Sequence, residues 1–255
     1  MLFGALGQVV LCVLLPTKLA TLPAVLLALH TITSSAVQYV RVSHDGPYIK
    51  GVIYGETTAQ LPERGETGVF ASMEPATRPL VVFHFGVRFH HPLGFLSPGG
   101  REITDHFFRT MEQVQAKPEH YGLLGVTRWQ SGDRDSQNTM MFVFFFKDIE
   151  GLRRFTHGKT HSDAAAWVNR TNYKHMGFFH ETYCVPRGAY ETLYRNMPPT
   201  MLGEARVGFD RAEGDGKLGK QYIGTLLSAN RAWLKTQFDR MWKMNKEWEE
   251  VNKKE

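Results

Sequence analysis

The stretch from Thr139 to Phe146, TMMFVFFF, constrains the fold more than any other part of this chain. Successive side chains of a strand point to opposite faces. Both faces are apolar here, so the segment reads as a central strand that needs a packed layer on each side. Around it the periodicity switches between two and the helical repeat. VVFHFGVRFHHP, starting next to Leu80, places Val81, Phe83, Phe85, Val87 and Phe89 on one face and His84, Gly86, Arg88 and His90 on the other, which predicts a strand with one face on an apolar layer. ITDHFFRTMEQV repeats at helical spacing through Ile103, Phe107, Met111 and Val114 and ends before Lys117-Pro118. Tyr121 to Gln130 reads as a strand, Ser131 to Ser136 as a turn, and Asp148 to Thr156 as a helix capped by Asp148. After a break at HGKTHS, DAAAWVN reads as a helix capped by Ser162, and the stretch from Phe178 to Val185 closes the unit as a strand.

The order strand, helix, strand, strand, helix, strand is the ferredoxin-like βαββαβ arrangement of an α+β domain, assigned to residues 80–205. Its helices cover one face of the sheet. The other face is expected to be covered by a second copy of the chain, giving a homodimer with facing sheets.

The flanks differ from this unit. Residues 1–40 carry one charged side chain, Lys18, and divide at Pro16-Thr17-Lys18 into two apolar runs, the second just reaching the roughly 20 residues a membrane-spanning helix takes. They are expected to form a membrane anchor of one or two helices, with a cleaved signal or buried helices as the competing readings. The anchor would place the protein at a membrane such as the endoplasmic reticulum, with its folded domain on the cytosolic side. Residues 41–79, rich in Gly, Pro, Thr and Glu, read as a linker. Residues 206–255 read as a loop and then an amphipathic helix from Gln221, whose apolar stripe runs through Ile223, Leu226, Leu227, Trp233, Leu234, Phe238, Met241, Trp242 and Trp248.

Across its 255 residues the chain has 30 Lys and Arg against 25 Asp and Glu, a basic excess not gathered into a patch, and no zinc-finger or RNA-recognition spacing; nucleic acid is not an expected partner. Cys12 and Cys184 lie far apart and read as free thiols. There is no Gly-rich dinucleotide turn, so a flavin or nicotinamide site is not expected, and no metal-ligand spacing stands out. Chemistry concentrates in FFHETYCVPRGAYETLYRNMPP, Phe178 to Pro199. As a strand it shows Phe178, His180, Thr182 and Cys184 on one face and Phe179, Glu181, Tyr183 and Val185 on the other.

FHFGVRFHHP, THSDAAAWVN and above all HETYCVPRGAYETLYRNMPPTMLG resemble a family of bacterial and fungal proteins related to the antibiotic-biosynthesis monooxygenases, whose fungal members belong to secondary metabolism. The resemblance covers residues 80–205. It implies a dimeric α/β barrel of ferredoxin-like protomers and oxygenase or oxidase activity on a lipophilic polyketide- or terpenoid-like intermediate. An oxygenase without cofactor needs a base, donors for a developing enolate and a dry apolar pocket. His180 is the first candidate base and His161 the second; each has a plain structural reading as a hydrogen-bonded histidine. Arg88 is either the enolate stabiliser or an ion-pair partner of Glu181. Tyr183 is a candidate donor to a substrate oxygen, and His84, Trp129 and Trp167 are candidate pocket walls. The alternatives are a haem-dependent dehydratase or oxidase with His161 or His180 as axial ligand, and a non-catalytic ligand-binding dimer. Asn169-Arg170-Thr171 matches a glycosylation acceptor expected to be unused.

Overall fold

The computed structural model describes residues 2–41, 49–65, 68–70, 74–132, 138–212, 218–241 and 246. It divides into two compact units, residues 1–52 and 53–255.

The first unit holds helices α1 (Leu2–Leu14) and α2 (Leu22–Arg41), joined through a single turn at Thr17–Ala20. Among the described residues no helix is long and apolar enough to cross a membrane, which corrects the expected spanning anchor. The physical reasons are length and composition. The 13 residues of α1 extend about 20 Å against a hydrocarbon core of roughly 30 Å. The 20 residues of α2 are long enough, but its second half carries His30, Thr31, Thr33, Ser34, Ser35 and Gln38.

The second unit is built on a four-stranded antiparallel sheet. In chain order after β1 (Ile53–Ala59) come β2 (Leu80–Phe89), α3 (Gly100–Ala116), β3 (Leu123–Gln130), β4 (Thr139–Phe146), α4 (Ile149–Thr156), α5 (Lys159–Thr171) and β5 (Met176–Val185). The spatial order is β3-β4-β2-β5, the ferredoxin-like arrangement. β4 is the doubly covered strand that its sequence demands. Met140, Phe142, Phe144 and Phe146 pack with Phe83 and Val87 of β2 against Ile103, Phe107, Leu152 and Phe155 of the helices. Val143 and Phe145 face a second core. Asp148 caps α4 by accepting from the Gly151 amide at 2.7 Å. Helix α5 begins at Lys159 after Gly158, so Ser162 lies inside it and is not its cap.

The second core corrects the expectation that another copy must cover the far side of the sheet. Ala59, Leu61, Leu202, Ala205 and Val207 of the same chain pack on Leu80, Leu124, Val143 and Phe145. They belong to a layer formed by β1 with β6 (Tyr194–Met197) and β9 (Leu226–Ser228), beside a hairpin of β7 (Arg206–Ala212) and β8 (Leu218–Gly224). The expected linker therefore contains a strand, and Thr58, Ala59 and Gln60 in it are buried because they pair into this layer. The helix expected from Gln221 is not formed: Leu218–Gly224 pairs with Arg206–Ala212 as a strand, and the described residues beyond reach only a short helix, Gln237–Arg240. Its positions Trp242 and Trp248 lie outside the described residues, as does most of the turn expected at 131–136.

Candidate active site

The register of β2 against β5 decides which polar side chains share a compartment. Phe83 lies opposite Thr182, Phe85 opposite His180 and Val87 opposite Phe178, so these side chains stand on the helix-facing side of the sheet. There a cavity of about 530 Å³ opens. Phe83, Phe85, Phe178, His180 and Thr182 form its floor; Ile103, Phe107 and Thr110 of α3, Ile149, Leu152, Arg153 and Thr156 of α4, and His161, Ala164, Ala165, Val168 and Asn169 of α5 form its walls. Its volume suits a small organic ligand. Its lining is mainly hydrocarbon and aromatic ring, with two imidazoles among the few polar groups.

His161 is held in the first turn of α5, with its ring 5.6 Å from Phe155 edge-on and 6.1 Å from Phe85. Its Nδ1 is buried and has no hydrogen-bond partner. Burial, and then the neighbouring charges of His157 and His180, hold its pKa below the ordinary imidazole value of 6.5. The neutral ring therefore forms part of a mainly apolar wall, with that nitrogen turned away from solvent. His180 enters from the opposite wall, 6.0 Å from the Phe83 ring, on an exposed stretch of β5. The two candidate bases named from sequence thus face one cavity.

The remaining candidates do not join them. Glu181 and Tyr183 are on the other face of β5, where the Tyr183 hydroxyl donates to Glu181 Oε2 at 2.9 Å and His84 Nδ1 lies 3.5 Å from the same oxygen. That bond, followed by the charge of Glu181, raises the pKa of Tyr183. Arg88, four residues along β2 from His84, is paired with Gly177 in the register and shares this outer face; the cavity is on the opposite side of the sheet. Gly86, on the same outer face, leaves room that the ring of Phe179 from β5 fills. Trp129 lies opposite Met141 on the outer face, and its indole N–H reaches Met201 Sδ at 3.2 Å. Trp167 packs against His106 and Tyr173 and walls a neighbouring cleft of about 280 Å³ instead.

Sequence reasoning missed Asn169, Thr156, Thr110 and Arg153 as wall residues. Their signal was helical spacing: His161, Ala164, Ala165, Val168 and Asn169 fall on one stripe of α5. Asn169, read from sequence only as a glycosylation acceptor, sits on that stripe. Arg153 is paired with Glu150 at 2.7 Å. Among the described residues no three His, Cys, Asp or Glu side chains gather as a metal site, and Cys12 and Cys184 are free and exposed.

Residues 80–202 match the family described as Monooxygenase af470-like. The chain is 35% identical over 233 residues to "Monooxygenase af470" of Aspergillus fumigatus, an alignment covering 91% of this chain and 82% of that protein. Among solved structures, the cofactor-independent oxygenase SnoaB of Streptomyces nogalater is similar at 15% identity, covering 41% of this chain and 91% of that one with a TM-score of 0.29. An aldoxime dehydratase in complex with butyraldoxime is similar at 14% identity, covering 56% of this chain and 42% of that one with a TM-score of 0.41.

Proposed function

This chain belongs to the af470-like monooxygenase family, and on that premise we propose that it oxidises a lipophilic polyketide- or terpenoid-like intermediate of secondary metabolism in the cavity between its sheet and helices, without a flavin or nicotinamide of its own. The observation that carries this reading is that His161, held neutral by burial, and His180 both line one mainly apolar cavity. A neutral imidazole there accepts a proton from an activated methylene of the substrate. The resulting carbanion supplies the electrons that reduce dioxygen. The substrate hydroperoxide then loses water, leaving a new carbonyl, so one oxygen atom enters the product and the other leaves as water. The apolar walls exclude solvent from the carbanion. Thr182 and Asn169 are placed to donate to its oxygen. Oxygen uptake by the purified chain, given an activated-methylene probe and no added cofactor, tests this. One dioxygen consumed per carbonyl formed supports it, and turnover that appears only with added flavin and reduced nicotinamide sinks it.

A second reading rests on the same side chain. A haem, were it bound, would be held by the neutral His161 imidazole in the cavity lining and would supply redox chemistry at its iron. His161 would be the ligand, with the Arg153 guanidinium on the same wall for a propionate. Titration with haemin separates the two: a Soret shift that the His161→Ala variant lacks favours haem.

The reading also includes a second copy of the chain. β5 is an outer strand with Phe178, Phe179 and Tyr183 each more than a third exposed, beside the open mouth of the cavity.

A further inference from the structure

Helices α1 and α2 leave their apolar side chains outside. On α2, Leu22, Val25, Leu26, Leu29 and Ile32 recur within three or four positions of one another, Val40 follows about two turns further on the same side, and each is about half exposed or more, so they form one stripe along the helix. His30, Thr31, Ser34 and Gln38 line the opposite side, with Leu27 the one large apolar residue among them. On α1, Leu6, Val9, Val10, Val13 and Leu14 form a second exposed stripe at the same spacing.

Two further observations favour lipid as what covers these stripes. Residues 2–41 contain no Asp or Glu and only Lys18 and Arg41 as charged side chains, so the polar side of α2 is made of hydroxyls, an amide and an imidazole. Several polar groups of the two helices bond within this unit. Gln8 Nε2 donates to the Ala20 carbonyl at 2.7 Å, Thr31 Oγ1 to the Leu27 carbonyl at 2.8 Å and Gln38 Nε2 to Ser34 Oγ at 3.0 Å. Bonds of this kind satisfy these groups without a protein partner, which fits a helix at the edge of a bilayer whose polar side meets headgroups and water.

We propose that α1 and α2 lie in the plane of a bilayer surface, their apolar stripes buried among the acyl chains of one leaflet, and that neutral phospholipid suffices. With so little charge on α2, attachment follows apolar area and lipid packing, so it is favoured by curved membranes and indifferent to salt.

Flotation of the full-length chain, translated in the presence of neutral phosphatidylcholine vesicles, tests this. The chain is expected to float with small sonicated vesicles better than with large extruded ones, and equally well after a molar-salt wash. Leu26→Asp and Leu29→Asp are each expected to reduce binding about tenfold or more, while Ser35→Glu on the polar side changes it less than about twofold on the same scale. A tag preceding Leu2 should remain open to added protease. Binding that requires anionic lipid and is lost in salt overturns the proposal. So does a protected tag, which indicates a span, or Leu26→Asp altering only self-association, which indicates a second copy as the occupant.

Discussion

At the scale of single residues the reading turns on which side of a strand a side chain stands. His161→Ala removes the proposed base together with its ring contacts to Phe155 and Phe85, and is expected to lower kcat about 10²- to 10⁴-fold with the fold intact by circular dichroism. Glu181→Gln and Tyr183→Phe, whose side chains stand on the far face of the sheet, are expected to leave kcat within about threefold, since a change of this size is well under one kcal/mol. Steady-state assays of the three variants side by side distinguish the faces. The acidity of His161 adds a pH signature. Its folded pKa lies below 6.5, so between the two values the unfolded chain binds a proton that the folded chain refuses. This group's contribution to stability is therefore complete above pH 6.5 and is lost as pH falls through the folded value. The rate follows the same neutral ring: kcat/KM should stay level down through pH 6.5 and then fall, a limb absent from the residual activity of His161→Ala. The Gly86→Ala variant tests the sheet itself. A methyl there collides with the Phe179 ring and comes within 2.8 Å of the Met140 carbonyl, so a loss of about 1–3 kcal/mol is expected in urea denaturation. His161 and His180 could be picked out from sequence because imidazoles in apolar runs are visible there. That Arg88 and Glu181 belong to another compartment follows from strand pairing, and no single segment encodes it.

At the scale of elements, legibility tracked periodicity. β2, β4 and α3 each present an unbroken repeat over many residues, and each forms where the repeat places it. The layer behind the sheet has no such signal: β1 reads IYGETTA, β6 is YRNM and β9 is LLS, strands too short or too mixed to show a sustained repeat and specified by their partners. Between Ile223 and Phe238 the apolar positions of two strands, a turn and two short helices fall by coincidence at helical spacing, and Gly224 and the Thr236 cap break the helix that spacing suggests. One long-range ion pair ties this tail to the layer. Arg240, 5% exposed, donates through Nε to Glu191 at 2.7 Å and through Nη1 to the carbonyls of Leu234 and Lys235. Glu191 belongs to the YETLY string that carried the family resemblance, so part of that string has a structural role. Glu191→Ala leaves a buried guanidinium without its anion and is expected to cost about 3 kcal/mol. Urea unfolding followed by tryptophan fluorescence measures it, and a midpoint unchanged from the parent would show that the two carbonyls suffice.

For the whole molecule, the chain's own second layer changes what a partner copy has left to cover. It occupies the outer face over β3 and β4, where Val143 and Phe145 are buried, and leaves the β5 side, where every residue from Phe178 to Cys184 is exposed. Among the described residues no strand pairs with the outer edge of β5. Ten residues of free edge flanked by exposed aromatic rings are a template for another strand. A second copy seated there is expected to meet Phe179 and Tyr183 on one side and close the mouth of the cavity at His180 and Phe178 on the other. Dimerisation and turnover should then fail together. Phe179→Lys, placed on the outer face away from the cavity, should shift the chain from dimer to monomer in sedimentation equilibrium and raise KM for a lipophilic probe, because the acyl-like walls of the site would open to water. A Phe179→Lys chain that stays dimeric places the partner elsewhere, and one that becomes monomeric with KM unchanged shows that each copy closes its own cavity.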